Sequence, residues 1–241
     1  MKPRSKKAQP HRCFLQAKGA ERLPIPIVFA QVGVDPVAAG LVASYARPGG
    51  NVTGLTGIFT ELAGKKLELL GQVVPRLARV AVLYDAANPA KLLELRELRD
   101  AAQVLGVQVQ PLEVRAAGDW EGAFAAASQE RADALIALGD NVVFAQRDRT
   151  AELALLHRLP TLVGERAEVA MGSLMFYGAN VEANYRRAAA FVDRILKGAQ
   201  PADLPVERPM TFDFVINLKT AQTLGLTIPP HVLLQATEVI Q

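Results

Sequence analysis

The sequence predicts an α/β protein whose parallel strands are covered by helices on both sides. Short apolar runs recur along the 241 residues, and each ends in a polar or glycine-containing turn before a helical pattern begins. Runs that are apolar throughout are typical of strands buried on both faces, as in parallel βαβ units. The runs are residues 26–30, 80–84, 134–138, 161–163 and 174–176.

The predicted elements follow in order between these runs. Asp35-Pro36 predicts a capped helix over residues 36–45, because an N-cap residue before a first-turn proline is a helix start signal. Asn88-Pro89 repeats the signal, and Gly106 marks the end of that helix. The other predicted elements are strands at residues 52–57, 107–114 and 212–216 and helices at about 62–74, 120–130, 142–157, 165–171, 185–197 and 219–224.

Composition excludes several classes of function. Half of the residues are hydrophobic and 21% are charged, which suits a globular protein with a sizeable core. The net charge of +3 is more than accounted for by Lys2, Arg4, Lys6, Lys7, Arg12 and Lys18, so no nucleic-acid partner is indicated. No apolar run approaches the roughly 18–20 residues that span a bilayer.

Motifs for catalysis, metal binding and export are also missing from the sequence. It contains no G-x-G-x-x-G, no phosphate loop and no G-x-S-x-G, and its three histidines lie far apart. The basic start lacks the apolar segment of an export signal. Cys13 is the single cysteine, which excludes an internal disulfide. We therefore predict no catalytic residues, no metal site and no cofactor.

Polar side chains at the ends of the predicted strands are the candidate ligand-binding residues. Ligands of parallel sheets bind at the carboxyl ends of the strands, so polar residues at these positions are predicted to contact a ligand. They are Asp35, Asp85, Asn88, Asp140, Asn141, Glu165 and Tyr177. The helix starts near Asp35, Asn88 and Asn141 would suit a carboxylate.

Each candidate has an ordinary structural interpretation as well. Asp35 and Asn88 are favoured as helix caps over ligand contacts. Asp140 and Glu165 are less easily explained as caps, and each is either a solvated loop charge or a partner for a ligand ammonium. Tyr177 is either a core residue or a ring that stacks on a flat ligand. Together these groups suit a zwitterion better than a reaction.

Several contiguous motifs are distinctive in this sequence. They are residues 25–30, 35–42, 47–54, 61–65, 177–180, 196–199, 202–207 and 215–221. These motifs resemble those of the ABC-transporter substrate-binding proteins of the TrpX-like group, and the resemblance extends from about Ile25 to the end of the chain.

The resemblance implies a type I periplasmic-binding-protein fold, with two Rossmann-like lobes of parallel sheet that close around a small molecule. It implies an amino-acid-like ligand, an ABC permease as membrane partner, a monomer, a periplasmic location and no catalysis. The absent export signal leaves a cytoplasmic location open for the chain as written. The implied domains are a basic, disordered tail at residues 1–23, a partial lobe I at 24–60 and 177–208, and lobe II with hinge crossings at 61–176 and 209–241.

Two departures from the family pattern are visible. The export signal and the opening βαβα half of the first lobe are replaced by the basic stretch 1–22, which predicts a truncated lobe I. Strand 26–30 is then expected to have an unpaired edge. In addition, Val34 interrupts what is usually a Gly-Asp-Pro turn.

Two other functions fit the predicted fold. A cytoplasmic ligand-sensing domain has the same architecture, although the first 22 residues are too short and irregular for a helix-turn-helix. An α/β enzyme could use Asp140 and Glu165 as an acid–base pair, although the chain has no nucleophile motif.

Overall fold

The computed structural model describes residues 25–241, and the stretch predicted as a disordered tail, residues 1–23, lies outside the described residues. The described chain divides into two units, which we treat separately. The smaller unit holds residues 25–57 and Val181–Pro209, and the larger one holds Ile58–Asn180 and Met210–Gln241.

The strands are, in chain order, β1 (Ile27–Val32), β2 (Val52–Thr56), β3 (Arg79–Asp85), β4 (Gln108–Val114), β5 (Ala134–Ala137), β6 (Thr161–Val163), β7 (Met175–Ala179), β8 (Phe212–Asn217) and β9 (Glu238–Ile240). The helices are α1 (Ala63–Val73), α2 (Pro89–Leu105), α3 (Trp120–Gln129), α4 (Asn141–Ala145), α5 (Arg147–Leu156), α6 (Ala167–Ala170), α7 (Val181–Leu196), α8 (Leu218–Leu224) and α9 (Pro230–Leu233). Two 3-10 helices cover Ala117–Asp119 and Pro201–Asp203.

The larger unit is built on one seven-stranded sheet with the order β4-β3-β5-β6-β7-β8-β9. The first five strands in this order run parallel, β8 is antiparallel to β7, and β9 is parallel to β8. The carboxyl ends of β3, β5, β6 and β7 therefore lie along one edge of the sheet. We call this the carboxyl edge.

Both faces of this sheet are covered, as the apolar strands predict. Along β3, Val80, Val82 and Tyr84 pack into a core with α1, α2, α8 and α9. Ala81 and Leu83 alternate with them and pack on the opposite face with α3 and α5. Residues of a strand point alternately to its two faces, so a strand buried on both sides must be apolar at every position.

Helix α2 begins and ends as its sequence signals predict. The Asn88 side chain accepts a hydrogen bond from the backbone N–H of Ala90, and Pro89 occupies the first helical turn. Gly106 closes the helix in the left-handed region at φ 69°. This conformation is easily reached by glycine because it has no Cβ.

The smaller unit holds β1 and β2, which pair in parallel. Val28 and Ala30 of β1 contact the core residues of α7 on one face, whereas Ile27 and Phe29 pack with Val42 on the other. The Thr53 hydroxyl donates a 2.7 Å hydrogen bond to the Leu204 carbonyl, 151 residues later in the chain. Within residues 25–241, β2 is the one strand that pairs with β1, and the unpaired edge stays a prediction.

Two predicted helices were wrong in part. Residues 36–45 form a series of turns instead of a helix, and Gly40 at φ 71° interrupts the helical path after one turn. The predicted helix 142–157 breaks at Gln146 into α4 and α5, because Gln146 leaves the helical conformation at φ −112°, ψ 22°. The strands predicted at residues 107–114 and 212–216 are confirmed.

Candidate functional site

Two acidic candidates, Asp140 and Glu165, each follow a glycine at the end of a strand, and the two glycines lie against each other at the carboxyl edge. Gly139 precedes Asp140 after β5, and Gly164 precedes Glu165 after β6. A Cβ atom on Gly164 would lie 2.2 Å from the Gly139 Cα, far inside any allowed contact. Only glycine at both positions therefore allows the two acidic turns to come this close.

Asp140 is the N-cap of helix α4, a role that the sequence analysis did not favour for it. Its Oδ1 accepts hydrogen bonds from the backbone N–H groups of Val142 (2.9 Å) and Val143 (3.0 Å). Its Oδ2 is buried and has no hydrogen-bond partner among the described residues. Burial raises the pKa of Asp140 and the nearby charge of Asp85 adds to the rise, while the cap bonds and a lysine oppose it. One buried carboxylate oxygen thus lacks a hydrogen-bond partner among the described residues.

Glu165 is partly buried beside the same edge. Burial raises the pKa of its carboxyl, and the positive charges of Lys91 and Lys66 lower it in part. A carboxylate that is desolvated in this way gains most from a new cationic partner, because burial without a partner costs free energy.

Tyr177 belongs to a small aromatic cluster on β7 and β8. Its ring stacks on Phe212 at a centroid distance of 6.2 Å and meets Phe214 edge-on at 6.1 Å. The residue is only partly buried, so its ring contributes to the core and also reaches the surface of the larger unit. Both alternatives drawn from the sequence are therefore compatible with its position.

The backbone N–H groups of the turn between β3 and α2 form hydrogen bonds within the turn itself. Asp85 is buried, and its Oδ1 accepts a 2.8 Å hydrogen bond from the Ala87 N–H. The Asn88 N–H donates to the Asp85 carbonyl, and the Ala90 N–H donates to the Asn88 side chain. Pro89 has no N–H. The N–H groups that were expected to suit a ligand carboxylate here are thus already engaged within the turn.

The remaining two candidates are exposed. Asn141 is the first residue of α4, and the N–H groups of the next two residues donate to Asp140. Asp35 lies in the smaller unit, where its Oδ1 accepts hydrogen bonds from the N–H groups of Val37 (2.8 Å) and Ala38 (3.0 Å). Asp35 therefore acts as a cap for the turn that follows it, as favoured from the sequence.

Sequence reasoning missed a buried ionic triad next to these acids. Glu94 of α2 accepts hydrogen bonds from the ammonium groups of Lys66 and Lys91, both at 2.8 Å. All three residues are at most 6% exposed. Burial alone would raise the pKa of Glu94, but the two ammonium groups outweigh it and hold the pKa below its usual value.

A signal for the triad was present in the helical periodicity. Lys66 is four residues from both Leu62 and Leu70, and Glu94 is four residues before Leu98. Each charged residue therefore stands on the apolar stripe of its helix, where charges are rarely buried unless they are paired. Among residues 25–241, no cluster of three or more His, Cys, Asp or Glu residues could hold a metal ion.

The sequence profile of a family described as ABC transporter substrate binding proteins matches residues 11–240. The chain belongs to this family. The resemblance predicted from the motifs is thereby confirmed. None of the helices within residues 25–241 combines the length and the apolar character that crossing a membrane requires.

Solved structures of similar proteins support the same assignment. The ABC domain in complex with L-Trp from Streptococcus pneumonia is 27% identical with a TM-score of 0.82, over 94% of this chain and 76% of that one. A conserved domain protein from Vibrio cholerae is 26% identical with a TM-score of 0.79, over 96% and 84% of the two chains. These likenesses confirm the predicted α/β fold of the periplasmic-binding-protein type.

A tyrosine-binding protein of Clostridioides difficile (strain R20291) is 26% identical over 202 residues. The match covers 84% of this chain and 57% of the relative. The chain thus spans little more than half the length of that relative.

Glu168 is a buried acid three residues after Glu165, close to the carboxyl edge. Its carboxyl is fully buried, Oε1 accepts a 3.0 Å hydrogen bond from the Glu165 N–H, and Oε2 has no partner among the described residues. Burial raises the pKa of Glu168 to about 7. The negative charge of Glu165 adds to the rise, and Arg147 opposes it.

We expect Glu168 to destabilise the fold as pH rises from 5 to 8. The folded state binds this proton more tightly than the unfolded state, so its contribution to stability is present at low pH and is lost as pH rises from the ordinary glutamate pKa of 4.5 to about 7. Glu168→Gln keeps the acceptor for the Glu165 N–H and removes the titration. Urea unfolding should find the variant more stable than the parent at pH 8, by on the order of 2–3 kcal/mol, with little difference at pH 5.

The exposed Glu97 provides the control for this prediction. Glu97→Gln should follow the parent at both pH values. A Glu168→Gln variant whose stability relative to the parent is the same at pH 5 and pH 8 would contradict the assigned pKa.

Proposed function

We propose that this chain is the solute-binding component of an ABC importer and binds an amino acid with an aromatic side chain. The observation that carries the proposal is the pair of desolvated acids, Asp140 and Glu165, that follow adjacent strand ends at the carboxyl edge. In this proposal their carboxylates bind the ammonium group of the ligand.

The chemistry of the two acids favours a cation as ligand. Asp140 presents a buried Oδ2 that no described residue engages. Burial disfavours the charged form of both carboxyl groups. A ligand ammonium would stabilise the charged form through charge-assisted hydrogen bonds. A desolvated carboxylate with a free oxygen is a better partner for an amine than a solvated loop charge would be.

Tyr177 is proposed to contact the side chain of the ligand. It lies on β7, next to β6 and the acidic turn that follows it, and its ring is partly exposed. Aromatic rings pair in stacked or edge-on arrangements worth about 0.5–1.5 kcal/mol beyond the buried area. We further propose that Asp85, Asn88 and Asn141 shape this edge, and the ligand contact considered for Asp35 stays a prediction.

The relatives support an aromatic amino acid as the ligand class. One similar structure is a complex with L-Trp, and one similar protein is described as tyrosine-binding. We propose that the chain works outside the cytoplasm as a monomer and passes the bound amino acid to an ABC permease in the membrane. No chemical step follows binding in this proposal.

Thermal unfolding of the purified chain with a panel of amino acids tests this function. The panel includes tryptophan, tyrosine, phenylalanine and the branched aliphatic amino acids. A ligand present at about 100 times its dissociation constant stabilises the fold by about 2.7 kcal/mol, which raises the unfolding midpoint by a few degrees. A selective shift with an aromatic amino acid is expected. No shift with any amino acid would contradict the proposal, and conversion of the ligand would favour the acid–base enzyme.

The variants Asp140→Asn and Glu165→Gln are each expected to weaken binding of that amino acid roughly tenfold to hundredfold. Hydrogen bonds to charged groups contribute about 1.5–3 kcal/mol, and about 1.4 kcal/mol corresponds to tenfold in affinity. Asparagine is itself a good N-cap, so α4 should remain folded.

Isothermal titration calorimetry measures this loss of affinity. Asp148→Asn is the control, because it removes an exposed acid from α5 without touching the carboxyl edge. If both edge variants bind as tightly as Asp148→Asn does, the ammonium role of the acids is wrong.

A further inference from the structure

A zwitterionic ligand also needs a partner for its carboxylate, and the turns that follow β3 and β5 do not supply it. The N–H groups around Asn88 donate within their own turn, and those of Val142 and Val143 donate to Asp140. A basic side chain near these turns is the alternative partner. Lys91 and Lys66 are the basic residues whose charges act on the acids of this edge.

The ionic triad carries an excess positive charge. Glu94 is the shared acceptor of two lysine ammonium groups, one on each of its oxygens. One negative charge balances one of the two positive charges, so one remains. Burying an unbalanced charge is costly, and the neighbouring acids Asp140 and Glu165, on which the charge of Lys91 acts, compensate it in part.

The two lysines differ in how they are placed relative to the acids. Lys91 lies in the first turn of α2, which follows β3 at the carboxyl edge, and its charge acts on both Asp140 and Glu165. The charge of Lys66 acts on Glu165 as well. Lys91 is therefore the lysine of the triad whose helix begins at the carboxyl edge.

A strained backbone segment holds an aromatic ring against Lys91. The Lys91 ammonium lies 4.9 Å from the centroid of the Phe59 ring, which is a cation–π distance. The preceding residue, Ile58, has φ +40°, a conformation that β-branched residues strongly avoid. Such strain persists only where the surroundings impose it and is typical of ligand-binding sites.

We propose that Lys91 is the residue that binds the ligand carboxylate, with Glu94 and Phe59 holding its ammonium group in place. One of the three donors of the ammonium is engaged by Glu94, which leaves donors for a carboxylate. The ligand carboxylate then adds a negative charge beside the triad, while its ammonium adds a positive charge beside Asp140 and Glu165. This inference rests on the proposed function, and it selects amino acids over the corresponding amines.

The test compares each amino acid with the amine that lacks its carboxylate. Calorimetry measures the affinities of L-tryptophan and tryptamine, and of L-tyrosine and tyramine, for the parent chain, Lys91→Met and Lys66→Met. The parent should prefer the amino acid over the amine by roughly tenfold to hundredfold, the effect of one charge-assisted contact. Lys91→Met should lose most of this preference, and Lys66→Met, the equally buried control, should keep it.

Two further variants separate binding from folding. Lys91→Arg keeps the positive charge and should retain most of the preference, and Lys91→Gln keeps a hydrogen-bond donor toward Glu94 and should lose it. A preference within threefold of the parent in Lys91→Gln or Lys91→Met overturns the inference and leaves the proposed function intact. A parent chain that binds none of the four compounds overturns the aromatic amino-acid ligand itself, and the role of Lys91 with it.

Discussion

Replacing Glu94 with alanine is expected to lower the free energy of unfolding by about 3–5 kcal/mol. The variant leaves two ammonium groups, Lys66 and Lys91, buried without the carboxylate that accepts their hydrogen bonds. Breaking a buried ion pair by removing one partner is costly because the remaining charge has neither water nor a counter-ion. Urea unfolding at neutral pH measures the loss.

The same helix offers a control for this prediction. Glu97→Ala removes an exposed carboxylate three residues further along α2 and should change the stability by no more than about 0.5 kcal/mol. A triple replacement of Lys66, Lys91 and Glu94 by Met, Met and Leu should recover much of the stability lost in Glu94→Ala. A loss below about 1 kcal/mol in Glu94→Ala would contradict the burial of the triad.

The variant Gly164→Ala is expected to impair both folding and binding. Its Cβ would lie 2.2 Å from the Gly139 Cα and 2.3 Å from the Gly139 N, so the ends of β5 and β6 must separate. Forcing extra atoms into a close-packed region costs about 1–3 kcal/mol. Because Asp140 and Glu165 directly follow these glycines, we also expect at least a roughly tenfold loss of amino-acid affinity, comparable to losing one charged contact.

Urea unfolding and calorimetry on the same preparation measure the two effects of Gly164→Ala. Gly122→Ala is the matched control, since a Cβ on this exposed residue of α3 would meet no atom within 4 Å. Alanine favours helix over glycine, so the control should be unchanged or up to about 1 kcal/mol more stable. Equal stability and equal affinity for Gly164→Ala and the parent would show that the approach of the two turns is not fixed by these glycines.

Much of the larger unit could be predicted because the central strands, β3, β5 and β6, are apolar along most of their length. Such a strand has no polar face, and the turns around it carry glycine, asparagine or proline. The helix predicted at residues 36–45 was wrong. Asp35 does make the capping hydrogen bonds that were predicted, but the residues after it form turns and not a helix. Asp35 caps a single turn, and the left-handed Gly40 then redirects the chain. A local signal marks where a helix can begin, but its length depends on packing.

The candidate site was predictable only where local chemistry marks it. The acids after β5 and β6 were found because strand ends in a parallel sheet meet at one edge. The triad was missed because its partners, Lys66 and Glu94, are 28 residues apart on different helices. Periodicity places each residue on an apolar stripe, but only the packing of α1 against α2 pairs them.

The hydrogen bond from Thr53 to the Leu204 carbonyl can form only late in translation, because the two residues are 151 positions apart. At about 5–20 residues per second, roughly 8–30 s of translation separates the two residues. During this interval β1 and β2 have been made, whereas α7, which covers their inner face, has not yet emerged in full. Nascent chains should therefore expose the apolar residues 27–56 to chaperones for many seconds, and a pause in translation upstream of α7 would prolong that exposure.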